Sequence, residues 1–437
     1  PAPAPDPAPA PDPVRAEVAP MAGLPAVPHD ALPSVSTAIM TAPAVPAVRR
    51  NPPPETQAGA VLDWVAANAA DWFPAIASDG ASLRVVQWHQ RPRCRLFEVE
   101  VRGSGGGERL MVKARLLDAS ARRRDAYAGQ RPTLAPPLEI TDDDEAATVE
   151  YIGLRGMADA LEERPRGGLR AIAAYGVSTE LAAVAMQHIE APDLRSVALL
   201  TARGSTLGLP YSASLPWGNT GAWLRRYHNG AVHAGTLPSL RRNRSEVVRT
   251  LREYGDFLGR RTGHRGLLRQ FVDEACRAAE VFLGDEVLTV PVHGDFVPRN
   301  VFVLPGGDVA VIDPFPAWRA PVFEDIGRQL VAARLFEPES LRPDYLAARP
   351  HPRLSETAFL AGYFGAGGAP VGPLRVFLAL CTLDRWAESA SKRPVDAVRR
   401  QLRGVRNTSV NRYYRRELRS QLPLLNPDSP RWHDTWV

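Results

Sequence analysis

The chain is poor in cysteine and histidine and has no long apolar run. Three cysteines, Cys94, Cys276 and Cys381, lie far apart and form no metal-binding or disulfide pattern, which fits a reducing cytoplasm. Nine histidines stand in no ligand-like cluster, so there is little material for a site built on several metal-bound histidines. No apolar stretch reaches the roughly 18 residues that suggest a membrane span. The amino-terminal segment lacks the basic start and unbroken apolar core of a secretory leader, because prolines interrupt it throughout. What is present is 45% hydrophobic and 23% charged residues over 437 positions, the balance of a soluble globular protein. That length holds two or three ordinary domains or one large two-lobed body. The net charge of +5 is mildly basic, and the excess is mostly arginine.

Composition divides the chain. Residues 1–56 hold 16 of its 42 prolines, bury little and favour extended conformations, so they read as a disordered tail. Residues 57–190 read as a small mixed lobe, and 191–437 as a larger, mostly helical one. VLDWVAANAADWF (61–73) has helical periodicity. SLRVVQWHQ and RLFEVEV read as strands, and GSGGG (103–107) as the hairpin turn into RLMVKARL. This glycine cluster is not a phosphate loop: it lacks Gly-Lys-Ser/Thr and joins two strands. LRAIAAYGV and ELAAVAMQHIE read as paired strands meeting at a short turn. SEVVRTLREYGDFLGRRTG, LLRQFVDEACRAAEVFLG, FEDIGRQLVAARLF and VFLALCTLDRWAESA have amphipathic helical spacing. No internal repeat is visible.

The chemistry concentrates in HGDFVPRNVFVLPGGDVAVID, residues 293–313. VFVL and VAVI are strand-like runs around a Gly-Gly pair, a hairpin signal. A turn centred on Gly306-Gly307 sets Leu304 opposite Val309, Phe302 opposite Val311 and Asn300 opposite Asp313. Opposed residues have Cβ atoms about 4.5–5.5 Å apart. An amide oxygen and a carboxylate then meet with Asp295 close by. Mg²⁺ accepts one or two such side chains completed by substrate phosphates and water. A separate carboxylate beside them suits taking the proton of a hydroxyl nucleophile. Lys113, in the strand-like Leu110-Met111-Val112-Lys113, needs an anionic partner if it faces a cleft, because burying an unpaired ammonium costs several kcal/mol.

His293, Asp295, Asn300 and Asp313 resemble the His-x-Asp-x-x-x-x-Asn signature, with an Asp after a hydrophobic strand, of the aminoglycoside phosphotransferase and choline kinase-like families, relatives of protein kinases. The resemblance implies an α+β, two-lobed protein-kinase-like fold with a small mixed β-sheet lobe and a larger, mainly helical lobe. It implies ATP and Mg²⁺ as cofactors, Asp295 as the catalytic base, and Asn300 and Asp313 as metal ligands. Lys113 would meet the ATP phosphates and a helix carboxylate. Within TDDDEAATVEYIGLRGMADAL (141–161), capped by Thr141 or Asp142, Glu150 best fits that carboxylate, since Leu154, Met157 and Leu161 follow on one face. Glu145 is the other candidate. Gln187, His188 and Ile189 fall where such folds place the adenine-binding hinge, and a polar strand exit would look the same. The nucleotide would lie under the turn near His89 to Cys94, which has no glycine. Asp325 stands where relatives carry an Asp that braces the loop. Pro314 replaces an aromatic residue of many relatives, a change expected at the substrate-side wall. His228, at the end of GAWLRRYHNG, reads as a capping or packing residue.

Lys392 to Val437 carries eleven Lys/Arg against four Asp/Glu, with aromatics among the arginines of NRYYRRELRSQL. A solvated outer helix explains this, as would weak contact with an anionic surface, and no nucleic-acid motif accompanies it. An acidic wall for a polycation is not evident there, which disfavours aminoglycosides. The function expected is an ATP- and Mg-dependent phosphotransferase acting on a hydroxyl of a small molecule: a sugar, amino alcohol, glycolipid-type or antibiotic acceptor. The alternatives are a pseudokinase-like nucleotide-binding scaffold, and a metal phosphoesterase built around Gly-Asp.

Overall fold

The computed structural model describes residues 53–77, 80–91, 93–116, 131–135, 143–162, 167–202, 212–230, 237–334, 352–391, 397–426 and 428. The proline-rich reading of 1–52 and the caps expected at Thr141 or Asp142 lie outside them. Helix α1 (Pro54–Trp72) begins inside the stretch read as tail, with Pro at its first position, where a missing N–H costs nothing. Val61, Val65 and Ala69, spaced four apart, bury one face of α1. The short α2 (Pro74–Ala77) follows.

That face covers an antiparallel sheet in the order β1-β2-β3-β6-β5, formed by β1 (Ser82–Gln90), β2 (Cys94–Gly103), β3 (Gly106–Arg115), β5 (Ala174–Ser178) and β6 (Ala183–Gln187). Strand alternation sets the two faces. Phe97, Val99, Val101, Leu110, Val112 and Ala114 form the small core with α1. Their alternates Glu98, Met111, Lys113 and Arg115 therefore lie on the opposite face. The glycine cluster is the expected hairpin turn, with Gly103 paired to Gly106.

LRAIAAYGV does not form one strand. Leu169–Arg170 (β4) instead pairs in parallel with β9 (Val309–Val311) of the second hairpin. Only Ala174–Ser178 pairs with β6, whose run ends at Gln187, so the preceding residues have no partner strand there.

The larger lobe is helical, with a separate core that includes Trp223, Tyr254, Phe271, Phe359, Phe377 and Trp386. After α3 (Asp143–Glu162) and α4 (Leu194–Ala202) come α5 (Leu215–Gly230), α6 (Arg244–Thr262), α7 (Arg265–Phe282), α8 (Phe323–Arg334), α9 (Pro352–Phe364), α10 (Val371–Ser391) and α11 (Ala397–Leu425). Asn243 caps α6 by accepting from Glu246 N at 2.9 Å, and left-handed Gly263 ends it. The mostly buried α10 is the lobe's axis, packing on α6, α7, α8 and α11. The aromatics of the basic end turn inward: Tyr413 and Tyr414 are buried, and Tyr414 stacks on Trp386 at 5.4 Å. The chain thus has the α+β, two-lobed architecture expected. Among the described residues, no helix is long and apolar enough to cross a membrane.

Candidate active site

Residues 293–300 run from β7 (Thr289–Pro291) to β8 (Val301–Val303), and their shape is set by Asp325 in the first turn of α8. Asp325 Oδ2 accepts from the backbone N of His293 at 2.6 Å, and Oδ1 from the backbone N of Gly294 at 3.2 Å. His228 Nε2 donates to the same carboxylate at 3.2 Å, which leaves His228 Nδ1 to accept the Tyr363 hydroxyl at 2.8 Å. Burial alone would raise the Asp325 carboxyl. The hydrogen bonds from His228 and the His293 amide outweigh it, so the pKa sits below its ordinary value. His228 is therefore a buried bracing residue, in line with a packing role. Buried His293 accepts from Asp295 N through Nδ1 at 3.4 Å, and burial lowers its pKa.

Asp295 itself opens to solvent, with 43% of its side chain exposed. Asn300 Nδ2 donates to the Asp295 carbonyl at 2.9 Å and to Oδ2 at 3.2 Å, fixing the loop and its carboxylate together. Arg299 Nη2 reaches both carboxylate oxygens, at 3.0 and 3.3 Å.

The hairpin register is one residue off the expected one: Val301 pairs with Val311, and Val303 with Val309. Pro305 is the reason. A two-residue turn would put it in the ladder, where it has no N–H to donate. It opens a 3-10 turn over Pro305–Gly307 instead, with Gly306 and Gly307 at φ 82° and 85°. Asn300 O consequently accepts from Ile312 N at 2.9 Å, so Asn300 stands opposite Ile312 and not Asp313. Asp313 follows in a left-handed conformation, φ 59°.

Asp313 meets the small lobe. Lys113 Nζ lies 2.8 Å from Asp313 Oδ1 and 2.8 Å from Glu150 Oε1, joining β3, α3 and the end of the hairpin. Burial alone would lower the Lys113 pKa, but the two carboxylates raise it above its ordinary value, and Lys113 in turn holds Asp313 below its own. Glu150, nearly inaccessible, also accepts from Arg115 Nη2 at 2.9 Å. The other candidate, Glu145, is exposed. Pro314 is buried and packs on α3. A Cβ on Gly153 would lie 2.8 Å from Pro314 Cγ and 2.9 Å from Pro316 Cδ.

At the end of β6, Gln187 N donates to Ala173 O at 2.8 Å and His188 N to Arg109 O at 3.3 Å. These two amides are engaged within the sheet, and Ile189 follows them. Sequence reasoning did not single out Arg115, Arg299 or Tyr363. The first repeats Lys113's strand face two residues on and the second lies four beyond Asp295, both visible as spacing. Tyr363 has no such signal.

No protein-family model matches the sequence, and no curated protein matches it. Solved structures align over most of the chain. A spectinomycin phosphotransferase in complex with ADP and spectinomycin is 13% identical over 82% of this chain and 93% of its own, with a TM-score of 0.43. A choline kinase from Streptococcus pneumoniae is 10% identical over 83% and 98%, with a TM-score of 0.43. A glucosamine kinase in complex with glucosamine, ADP and inorganic phosphate is 17% identical over 81% and 83%, with a TM-score of 0.41. Likeness at this level assigns neither family nor chemistry, which the residues of the chain itself must carry.

Proposed function

We propose that the chain is an ATP- and Mg²⁺-dependent phosphotransferase that phosphorylates a hydroxyl of a small molecule. The observation that supports this best is Lys113 bridging Glu150 and Asp313 at 2.8 Å each, beside a loop that presents Asp295 to solvent. Phosphoryl transfer needs alignment and charge neutralisation more than covalent chemistry, and these groups suit both. Lys113 takes the nucleotide phosphates while Glu150 keeps it in place. Asp295 orients the acceptor hydroxyl and takes its proton. The backbone around Ile189 receives the adenine.

The donor set fits Mg²⁺. Asn300 binds Asp295 through its amide nitrogen, which leaves the amide oxygen as donor, and Asp313 adds a carboxylate. Oxygen donors of this kind, completed by phosphate and water, are what the ion accepts. Among the described residues no cluster of three or more His, Cys, Asp or Glu could hold a metal alone, in keeping with a metal that arrives with the nucleotide. Bound there, Mg²⁺ would neutralise the phosphate charge.

The test is a phosphate-transfer screen with MgATP across sugars, amino alcohols, glycolipid-type acceptors and hydroxylated antibiotics, with mass spectrometry of the products. A product gaining one phosphate, lost with Asp295→Asn, is the expected outcome. MgATP binding without transfer to any acceptor would favour the scaffold instead, and phosphoester hydrolysis without ATP would favour the phosphoesterase.

A further inference from the structure

We propose that Arg115 is a positioning residue for the nucleotide phosphates, acting through Glu150 on Lys113; this rests on the phosphotransferase reading above. Leu110, Val112 and Ala114 of β3 point into the small core, so Lys113 and Arg115 leave the opposite face as consecutive side chains, about 7 Å apart along the strand. Both reach one carboxylate. Lys113 Nζ binds Glu150 Oε1 at 2.8 Å, and Arg115 Nη2 binds Oε2 at 2.9 Å. The Arg115 backbone is pinned by its bond to Ala182 O at 2.9 Å, and the next residue by Leu116 N to Arg93 O at 2.9 Å. With both oxygens held, the Glu150 carboxylate cannot rotate away from Lys113.

Charge gives this clamp its purpose. A Lys113–Glu150 pair is neutral and attracts phosphate weakly. With Arg115 the trio carries one net positive charge, fixed at the site where Lys113 meets the nucleotide. Asp313 now shares Lys113 at 2.8 Å, and holding a metal draws it away. Glu150 is then the carboxylate left on Lys113, and Arg115 keeps it in place. A guanidinium suits this role because its charge is permanent and its planar head aims Nη2 at Oε2 from a set direction.

The experiment is calorimetric titration of the full chain with MgADP and, separately, with adenosine, which lacks the phosphates. Arg115→Gln is expected to weaken MgADP ten-fold or more while adenosine affinity stays within two-fold. Arg115→Lys keeps the charge on a head of different reach and shape, so MgADP weakens only three- to five-fold. In a Glu150→Gln background the Arg115→Gln effect falls below three-fold, because the group it acts through is gone.

Unchanged MgADP affinity in Arg115→Gln overturns the proposal. Equal losses for MgADP and adenosine overturn it too, since they mark a purely structural bridge. An undiminished effect in the Glu150→Gln background overturns the route through Glu150. Should Arg115→Gln not fold, the Lys variant decides, and parental MgADP affinity there overturns the idea. A parent chain that binds no MgADP removes the phosphotransferase reading itself and this inference with it.

Discussion

Lys113 Nζ and Asp313 Oδ1 stand 2.8 Å apart although 200 residues separate them along the chain. A lysine already paired with the residue expected to hold metal must release it when Mg²⁺ and ATP arrive together. MgATP is therefore expected to raise the melting temperature, and Asp313→Ala or Asn300→Ala to abolish most of the rise. Ligand at a hundred times its dissociation constant adds about 2.7 kcal/mol to the folded state, well within reach of a thermal scan. An equal rise with ATP and EDTA would count against the metal site.

Asp295→Asn separates catalysis from binding. The amide keeps the shape and loses the base, so MgATP affinity should change by a few fold at most. Turnover should fall by roughly 10²–10⁴, the usual worth of a general base. Parental turnover in the Asn variant would mean that Asp295 is not the base.

The brace under the loop of residues 293–300 predicts a pH dependence. His293 has a pKa below its ordinary 6.5, so the unfolded chain binds the extra proton first as pH falls. Stability should decline below pH 6.5, and further below pH 3.8 as Asp325, also depressed, is protonated. Asp325→Ala leaves the His293 and Gly294 amides without their acceptor, at about 1–3 kcal/mol for each buried group. Chemical denaturation of parent and variant from pH 8 to 2.5 would measure these effects. A parent flat over that range would contradict the assignment of His293.

Gly153 and Gly156 make a matched pair on α3. A Cβ at Gly156 meets nothing within 4 Å, whereas one at Gly153 runs into Pro314 and Pro316. Gly156→Ala should stabilise by about 0.5–1 kcal/mol, the ordinary helix gain. Gly153→Ala should destabilise and weaken MgATP binding, because it pushes Glu150 and Asp313 apart. Stabilisation by both variants would show that the helix and the loop are not tightly packed.

The residue types of the site were legible because their spacing is local. His293, Asp295 and Asn300 fall within one loop, and the apolar stripe of Leu154, Met157 and Leu161 picked Glu150 over Glu145. Lys113 is also one of only two lysines, with Lys392, in a chain whose other cations are arginine. The hairpin register lies one residue off the one the Gly-Gly pair implies, because Pro305 has no N–H to give the ladder. The bracing of His228 by Asp325 and Tyr363 links residues 97 and 135 positions apart. Only the packing of α5, α8 and α9 brings them together, and no periodicity announces that.

Pro314 and Pro316 are wedged against Gly153, one helical turn from Glu150. Where a helix and a loop that each carry a carboxylate of one ion-pair cluster can part, a protein acquires a clutch, and its output can be disengaged by whatever pulls them asunder. Here the two are keyed together by rigid rings on a residue with no side chain to yield. On the phosphotransferase proposal, this keying would hold the Glu150 and Asp313 carboxylates at a fixed spacing whether or not nucleotide is bound, and a mutation that loosened it would let them drift apart.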